Sequence, residues 1–221
     1  MSGPLLLSHP ACLEHRAPDH PERPERLTAI REAIGADPLT AGLEWAQPPD
    51  ATDAELEAAH RPGYVEAVLR AARRADEDGR GGWVDADTWI GPGSRAAALA
   101  SAGGAVEAVR QVLGGGRRTA WSLTRPPGHH ATRDVAMGFC LLNNVAVGAG
   151  AALAAGLERV AIVDFDVHHG NGTQDVFYER ADVLYISTHQ WPLYPGTGAR
   201  TERGRGAGEG FTLNVPMAAG G

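Results

Sequence analysis

The chain has 221 residues, a net charge of −7, 43% apolar residues and 21% charged ones. That length and apolar share suit one large domain with a sizeable core, or one domain with part missing. The acidic balance argues against nucleic-acid binding, which relies on a basic surface.

Two cysteines, Cys12 and Cys140, make neither a disulfide framework nor a CxxC zinc pair, so a reducing, cytoplasmic setting is expected. The start MSGPLLLSHP lacks a basic n-region, and no apolar run reaches the roughly eighteen residues that cross a membrane. Aromatic residues are few and glycine and alanine are plentiful, so the helices should pack closely on small side chains.

In chain order, residues 4–8 form a short apolar run that reads as a strand. Residues 26–34 follow a proline-rich entry and read as a helix, and 43–46 read as a strand. Helices are expected over 53–60, with a cap at Thr52 or Asp53, and over 62–75, with Pro62 in the first turn. Residues 94–113 and 143–157 predict two long alanine-rich helices, while 119–124, 159–165, 182–188 and 210–215 predict strands. Several of these strand runs are continuously apolar, the pattern of strands covered on both faces. The alternation of strand and helix predicts an α/β domain with a mainly parallel sheet. The glycine clusters at 114–116 and 204–210 read as turns, the second as a surface loop before a strand. No internal repeat, no GxxxxGK[ST] phosphate loop and no well-placed GxGxxG is present.

The run "VAIVDFDVHHGNG" (160–172) is the best strand in the chain, and it ends in acids, histidines and glycines. Ligands bind at the carboxyl ends of strands in open α/β sheets. Asp164, Asp166 and His168 are spaced at i, i+2 and i+4 and share a face if the backbone stays extended. An Asp and a His two residues apart can both reach one divalent ion, and zinc accepts both. Charged groups ending a buried strand cost desolvation unless something compensates them. A second cluster, "RPPGHHA" (125–131), follows another strand-like run and places His129 and His130 on a loop. Neutral imidazoles beside a metal can take a proton from water and return it to a leaving amine. Each needs its other nitrogen held, a task for which Asp164 and Asn171 are available.

These segments, with "HPERPERL" (20–27), "GFCLLNNVAVGA" (138–149), "YISTHQWPLYPGTG" (185–198) and "GFTLNVP" (210–216), resemble the zinc-dependent histone deacetylase family. That family also contains acetylpolyamine amidohydrolases and acetoin-utilisation proteins. The HHGNG form, with Asn171 where another branch has Asp, resembles the class II branch. The resemblance implies a three-layer αβα, arginase/deacetylase-like fold over one domain, residues 1–221. It implies that Asp166 and His168 are two of three zinc ligands. It implies further that His129 and His130 handle protons, with His130 the general base, Asp164 holding His129 and Asn171 holding His130. Gly138 and Phe139 would form one wall of a substrate tunnel and Tyr194 the other. An aromatic pair there could sandwich the methylenes of a lysine-like side chain. By the same analogy Asp164, Asp166, His168, Ser187 and Thr188 hold a monovalent cation such as K⁺, several through backbone carbonyls. Arg26 lines an internal acetate channel.

The implied reaction is hydrolysis of an acyl amide on a lysine side chain, a polyamine or another small amine, with release of acetate. No nucleic acid or membrane takes part, and a homo-oligomer is left open. The family's third zinc ligand, a later Asp, and its oxyanion donor, a late Tyr, have no match in this sequence, which reads as C-terminally incomplete. The family's late central strands would lie between the third and fourth strands of this chain. Their absence would leave exposed edges, and the chain alone is expected to be unstable or inactive. Two other readings stand beside this one. The first is a binuclear manganese enzyme of the arginase or agmatinase kind, disfavoured because Gly170 occupies the position of its bridging Asp. The second is a non-catalytic module that binds acyl-lysine or a small cation.

Overall fold

The structure is a computed structural model that describes residues 3–220. Its parallel strands form two three-stranded sheets. In the first, β1 (Leu5–Leu7) lies between β2 (Glu44–Ala46) and β5 (Ala120–Ser122), with Leu6 opposite both Trp45 and Trp121. In the second, β7 (Val183–Gln190) lies between β6 (Val160–Asp164) and β8 (Thr212–Met217), with Ile162 opposite Tyr185 and Asp164 opposite Ser187. Among the described residues no strand joins β5 to β6, so each sheet keeps an unpaired edge there.

Six α-helices complete the domain: α1 (Pro24–Ala36), α2 (Asp53–Glu57), α3 (Pro62–Asp78), α4 (Ser94–Leu113), α5 (Asn144–Ala154) and α6 (Asn171–Phe177). Their starts follow from local chemistry. Pro24 and Pro62 open α1 and α3, where the missing N–H costs nothing. Thr52 caps α2 in a reciprocal capping box with Glu55, which settles the choice between Thr52 and Asp53. Asn143 caps α5 by accepting from the Ala146 N–H. Gly79, at φ 69°, ends α3 in the left-handed conformation that glycine adopts without strain.

The core gathers apolar residues from α2 to α6 together with Ile162, Val183 and Tyr185. A smaller cluster of Cys12, Leu27 and Ala100 ties α1 to α4. Small residues set the helix spacing: a Cβ at Gly150 of α5 would come within 2.8 Å of the Ala58 methyl carbon. The result is the α/β domain with mainly parallel strands that the alternation predicts, in keeping with the αβα architecture that the resemblance implies.

Three features differ from the sequence expectations. A short antiparallel hairpin, β3 (Gly82–Trp83) with β4 (Trp89–Ile90), stands where no element was expected. Two-residue strands carry too little alternation to read. Helix α6 begins inside the HHGNG motif, whose glycines mask the helical pattern. The strand β6 is not covered on both faces. Ile162 is buried, whereas Val163 is 58% exposed and Phe165, just beyond the strand, is 83% exposed. Both line the open groove beside the unpaired edge of β6.

Candidate active site

The loops after β5 and β6 meet at the carboxyl ends of the two sheets. His60 braces the first of them. Its Nε2 accepts the Asn143 N–H at 2.8 Å, so its Nδ1 donates to the Thr132 carbonyl, also at 2.8 Å. Burial pushes this imidazole down to about 4, which keeps it neutral. A buried bidentate pair braces the same loop from below. Arg125 donates to both carboxylate oxygens of Glu22, at 2.7 and 2.6 Å, and to the Cys12 carbonyl at 2.5 Å.

His129 and His130 lie with ring centroids 4.0 Å apart and planes tilted by 45°, yet their supports differ. His129 Nδ1 lies 3.0 Å from Asp164 Oδ2. That carboxylate also faces the Tyr185 hydroxyl at 3.2 Å and accepts the Asp166 N–H at 3.2 Å. Burial opposes the charge on Asp164, but these hydrogen bonds, led by His129, outweigh it and hold the carboxyl below its usual range. His130 Nδ1 lies 2.8 Å from Asn171 Oδ1. Burial, followed by the neighbouring His129, lowers His130 to about 4. The structure thus pairs each histidine with the partner inferred from the resemblance.

Asp166 and His168 lie past the end of β6, where the backbone bends, and their side chains still converge. Asp166 Oδ1 is 3.1 Å from His168 Nδ1 and also accepts the His168 N–H at 2.8 Å. Two ligands about 2.0–2.1 Å from one tetrahedral zinc stand roughly 3.3 Å apart, so this spacing fits two donors of a single ion. Both side chains are partly exposed, and among the described residues no group of three His, Cys, Asp or Glu assembles. The pair therefore fits two corners of a zinc site. Gly170 excludes a third carboxylate at its own position, because a Cβ there would collide with the Asp164 carboxylate and lie 2.6 Å from the Tyr185 hydroxyl. That steric fact removes the bridging residue a binuclear site would need.

A cavity of about 470 Å³ joins these groups to the walls expected from the sequence. His129, His130, Asp166, His168, Gly138, Phe139, Tyr194 and Arg26 all line it. Tyr194 meets the His130 ring edge-on at 5.0 Å. Gly138 adopts φ +56°, and a Cβ there would press on the His130 ring at 2.5 Å, so the motif needs glycine beside this histidine. Phe139 also takes a left-handed conformation, φ 71°. Arg26 lines the same cavity with a largely exposed side chain 3.8 Å from Glu22, which places it at an open rim and not in the internal channel expected from the resemblance. Ser187 sits across the ladder from Asp164, and its hydroxyl contacts His189 Nδ1 at 2.9 Å; Thr188 follows it on β7.

The structure adds residues that the sequence reading missed. Asp87, in the β3–β4 turn, lines the cavity beside Tyr194. Burial and then Asp85 raise the Asp87 carboxyl. Burial followed by Asp87 and Asp85 pushes the Tyr194 hydroxyl up to about 12. The only signal was the "DAD" triplet, uninformative without the hairpin. A buried polar network also ties the loop after β6 to the Tyr194 loop. His169 contacts Thr197 at 2.8 Å and Gln174 at 3.1 Å, Gln174 donates to Glu202 at 2.6 Å, and Glu202 accepts the Gly198 and Ala199 N–H groups.

The histone deacetylase domain, as a family model, matches residues 20–221. The chain belongs to the histone deacetylase family. It is 40% identical over 215 residues to a probable deacetylase of Archaeoglobus fulgidus, covering 96% of this chain and 58% of that protein. It is 44% identical over 207 residues to a histone deacetylase-like amidohydrolase of Pseudomonas aeruginosa, covering 93% of this chain and 53% of that protein. The crystal structure of an acetylpolyamine aminohydrolase from Burkholderia pseudomallei superposes with a TM-score of 0.84 at 34% identity, over 97% of this chain and 72% of the other. The chain thus spans somewhat more than half the length of these curated family members.

Proposed function

We propose that this site hydrolyses an acyl amide on a lysine side chain, a polyamine or another small amine, releasing acetate, with zinc as cofactor. The observation that carries the reading is the Asp166–His168 pair, set in one cavity with the neutral His130 and the aromatic walls Phe139 and Tyr194. Zinc held by Asp166 and His168 would supply a Lewis acid for the acyl oxygen.

The chain's own groups do the rest. Asn171 Oδ1 can only accept, so His130 keeps its proton on Nδ1 and presents Nε2 as the base toward the attacking water. Burial disfavours the imidazolium that results, so the proton passes on readily to the leaving amine. Asp164 orients His129. Phe139 and Tyr194 enclose the methylenes that precede the amide and exclude water. Asp85 and Asp87 put negative charge near Tyr194, which favours substrates carrying a second cationic group, as an acetylated polyamine does. A monovalent cation at Asp164, Asp166, His168, Ser187 and Thr188 belongs to the same proposal.

Full turnover needs a third metal donor and an oxyanion donor, and among the described residues no third His, Cys, Asp or Glu joins Asp166 and His168. The proposed activity of these 221 residues is therefore slow. The test is acetate release from an acetyl-lysine peptide and an acetylated diamine, with zinc and with a chelator. The reading expects release that the chelator abolishes, that zinc restores and that His130→Ala removes. Release indifferent to the chelator, or unchanged in His130→Ala, would sink it.

A further inference from the structure

We infer that Thr88 is a positioning residue: its hydroxyl holds the Phe139 wall and the Asp87 carboxylate in one fixed arrangement at the mouth of the cavity. The inference rests on the acyl-amide reading above and adds a residue that neither the motifs nor the chemistry of the site assigns.

Thr88 belongs to the β3–β4 turn, far in sequence from Phe139, and its side chain is fully buried. Thr88 Oγ1 accepts the Phe139 N–H at 3.0 Å. The same hydroxyl donates toward Asp87 Oδ1 at 3.4 Å. One atom therefore touches the backbone of one tunnel wall and the rim carboxylate. The backbone it holds is strained. Phe139 is a non-glycine residue at φ 71°, next to Gly138 at φ 56°, and such a conformation persists only where its surroundings over-determine it. His20 supplies the other constraint, with its ring edge-on to Phe139 at 4.5 Å. The turn that carries Thr88 is itself pinned, because Asp85 Oδ1 accepts the Asp87 and Thr88 N–H groups and the Thr88 carbonyl accepts the Val84 N–H.

Without the hydroxyl, the Phe139 N–H loses its partner and the ring loses its fixed height beside His20. The consequence falls on substrate binding, since the proton-handling pair is held separately by Asp164 and Asn171.

The test compares Thr88→Val, which keeps the shape and removes the hydroxyl, with Thr88→Ser, which keeps the hydroxyl. On an acetyl-lysine peptide, Thr88→Val should raise KM about tenfold, the factor expected for losing one buried hydrogen bond, with kcat changed less than about threefold. Thr88→Ser should restore KM. Hydrogen exchange read by mass spectrometry should quicken in Thr88→Val over residues 137–141 and nowhere in α4 or α5. An unchanged KM in Thr88→Val, or faster exchange across the whole chain in both variants, overturns the inference. A wild-type chain whose hydrolysis is indifferent to a chelator sinks the deacetylase reading alone. Exchange then decides for Thr88, and identical exchange in the wild type and Thr88→Val overturns its role.

Discussion

His130 and Asn171 meet at 2.8 Å through an amide oxygen, whereas the adjacent His129 faces the Asp164 carboxylate at 3.0 Å. Two adjacent imidazoles thus sit over one cavity with partners of different charge. A neutral partner leaves His130 a weaker base than a carboxylate would. Asn171→Asp places an anion at His130 Nδ1, favours the imidazolium and raises the pKa of this ring. The acid limb of the pH profile of kcat/KM should move to higher pH in that variant. An unmoved limb would show that His130 does not set it.

His130→Ala removes the proposed base and leaves the two metal donors untouched. The loss in kcat should lie between roughly a hundredfold and ten-thousandfold, the usual range for a general base. Metal content should equal that of the wild type. Loss of turnover together with loss of metal would place His130 in the coordination shell instead.

Much of this was legible because the chemistry lies in contiguous motifs. Asp166 and His168 are two residues apart, and His129 and His130 are adjacent, so short-range geometry fixes most of their placement. A cap at Thr52 or Asp53 and Pro62 in the first turn of α3 were readable for the same local reason, while α1 begins at Pro24, two residues before the expected start. What escaped depends on contacts across the chain. Asp87 and Thr88 matter only because a two-residue hairpin brings them to Phe139, more than fifty positions away. Likewise Glu202 reaches the loop after β6 through Gln174 and His169, a route no spacing rule encodes. The exposed face of β6 reverses an expectation drawn from its apolar run, since composition reports a strand's preference for cover and not whether cover is present.

The Arg125–Glu22 pair is buried on both sides and holds the histidine loop to the segment entering α1. Glu22→Ala leaves an uncompensated guanidinium in the interior, at a cost of about 3–5 kcal/mol. The denaturant midpoint should fall accordingly, with the unfolding slope unchanged. A shift within the scatter of surface substitutions would show that the pair is dispensable.

His60 and His15 are both held near 4 by burial, against an ordinary 6.5. Below 6.5 the unfolded chain takes up a proton on each ring and the folded chain does not. Their contribution to stability is therefore complete above 6.5 and is lost as pH falls toward 4, at up to about 1.4 kcal/mol per pH unit for each ring. Melting temperatures measured across that window should drop more steeply in the wild type than in His60→Gln. Parallel slopes would contradict a neutral, buried His60.

The most direct test of the account is a cobalt(II) titration of the protein followed by its visible absorption, alongside Asp166→Ala and His168→Ala. The account predicts one ion per chain in the wild type, with weakened or absent binding in each variant and far-ultraviolet circular dichroism unchanged. Equal stoichiometry and affinity in all three proteins would contradict it, because the carboxylate and the imidazole would then not share an ion.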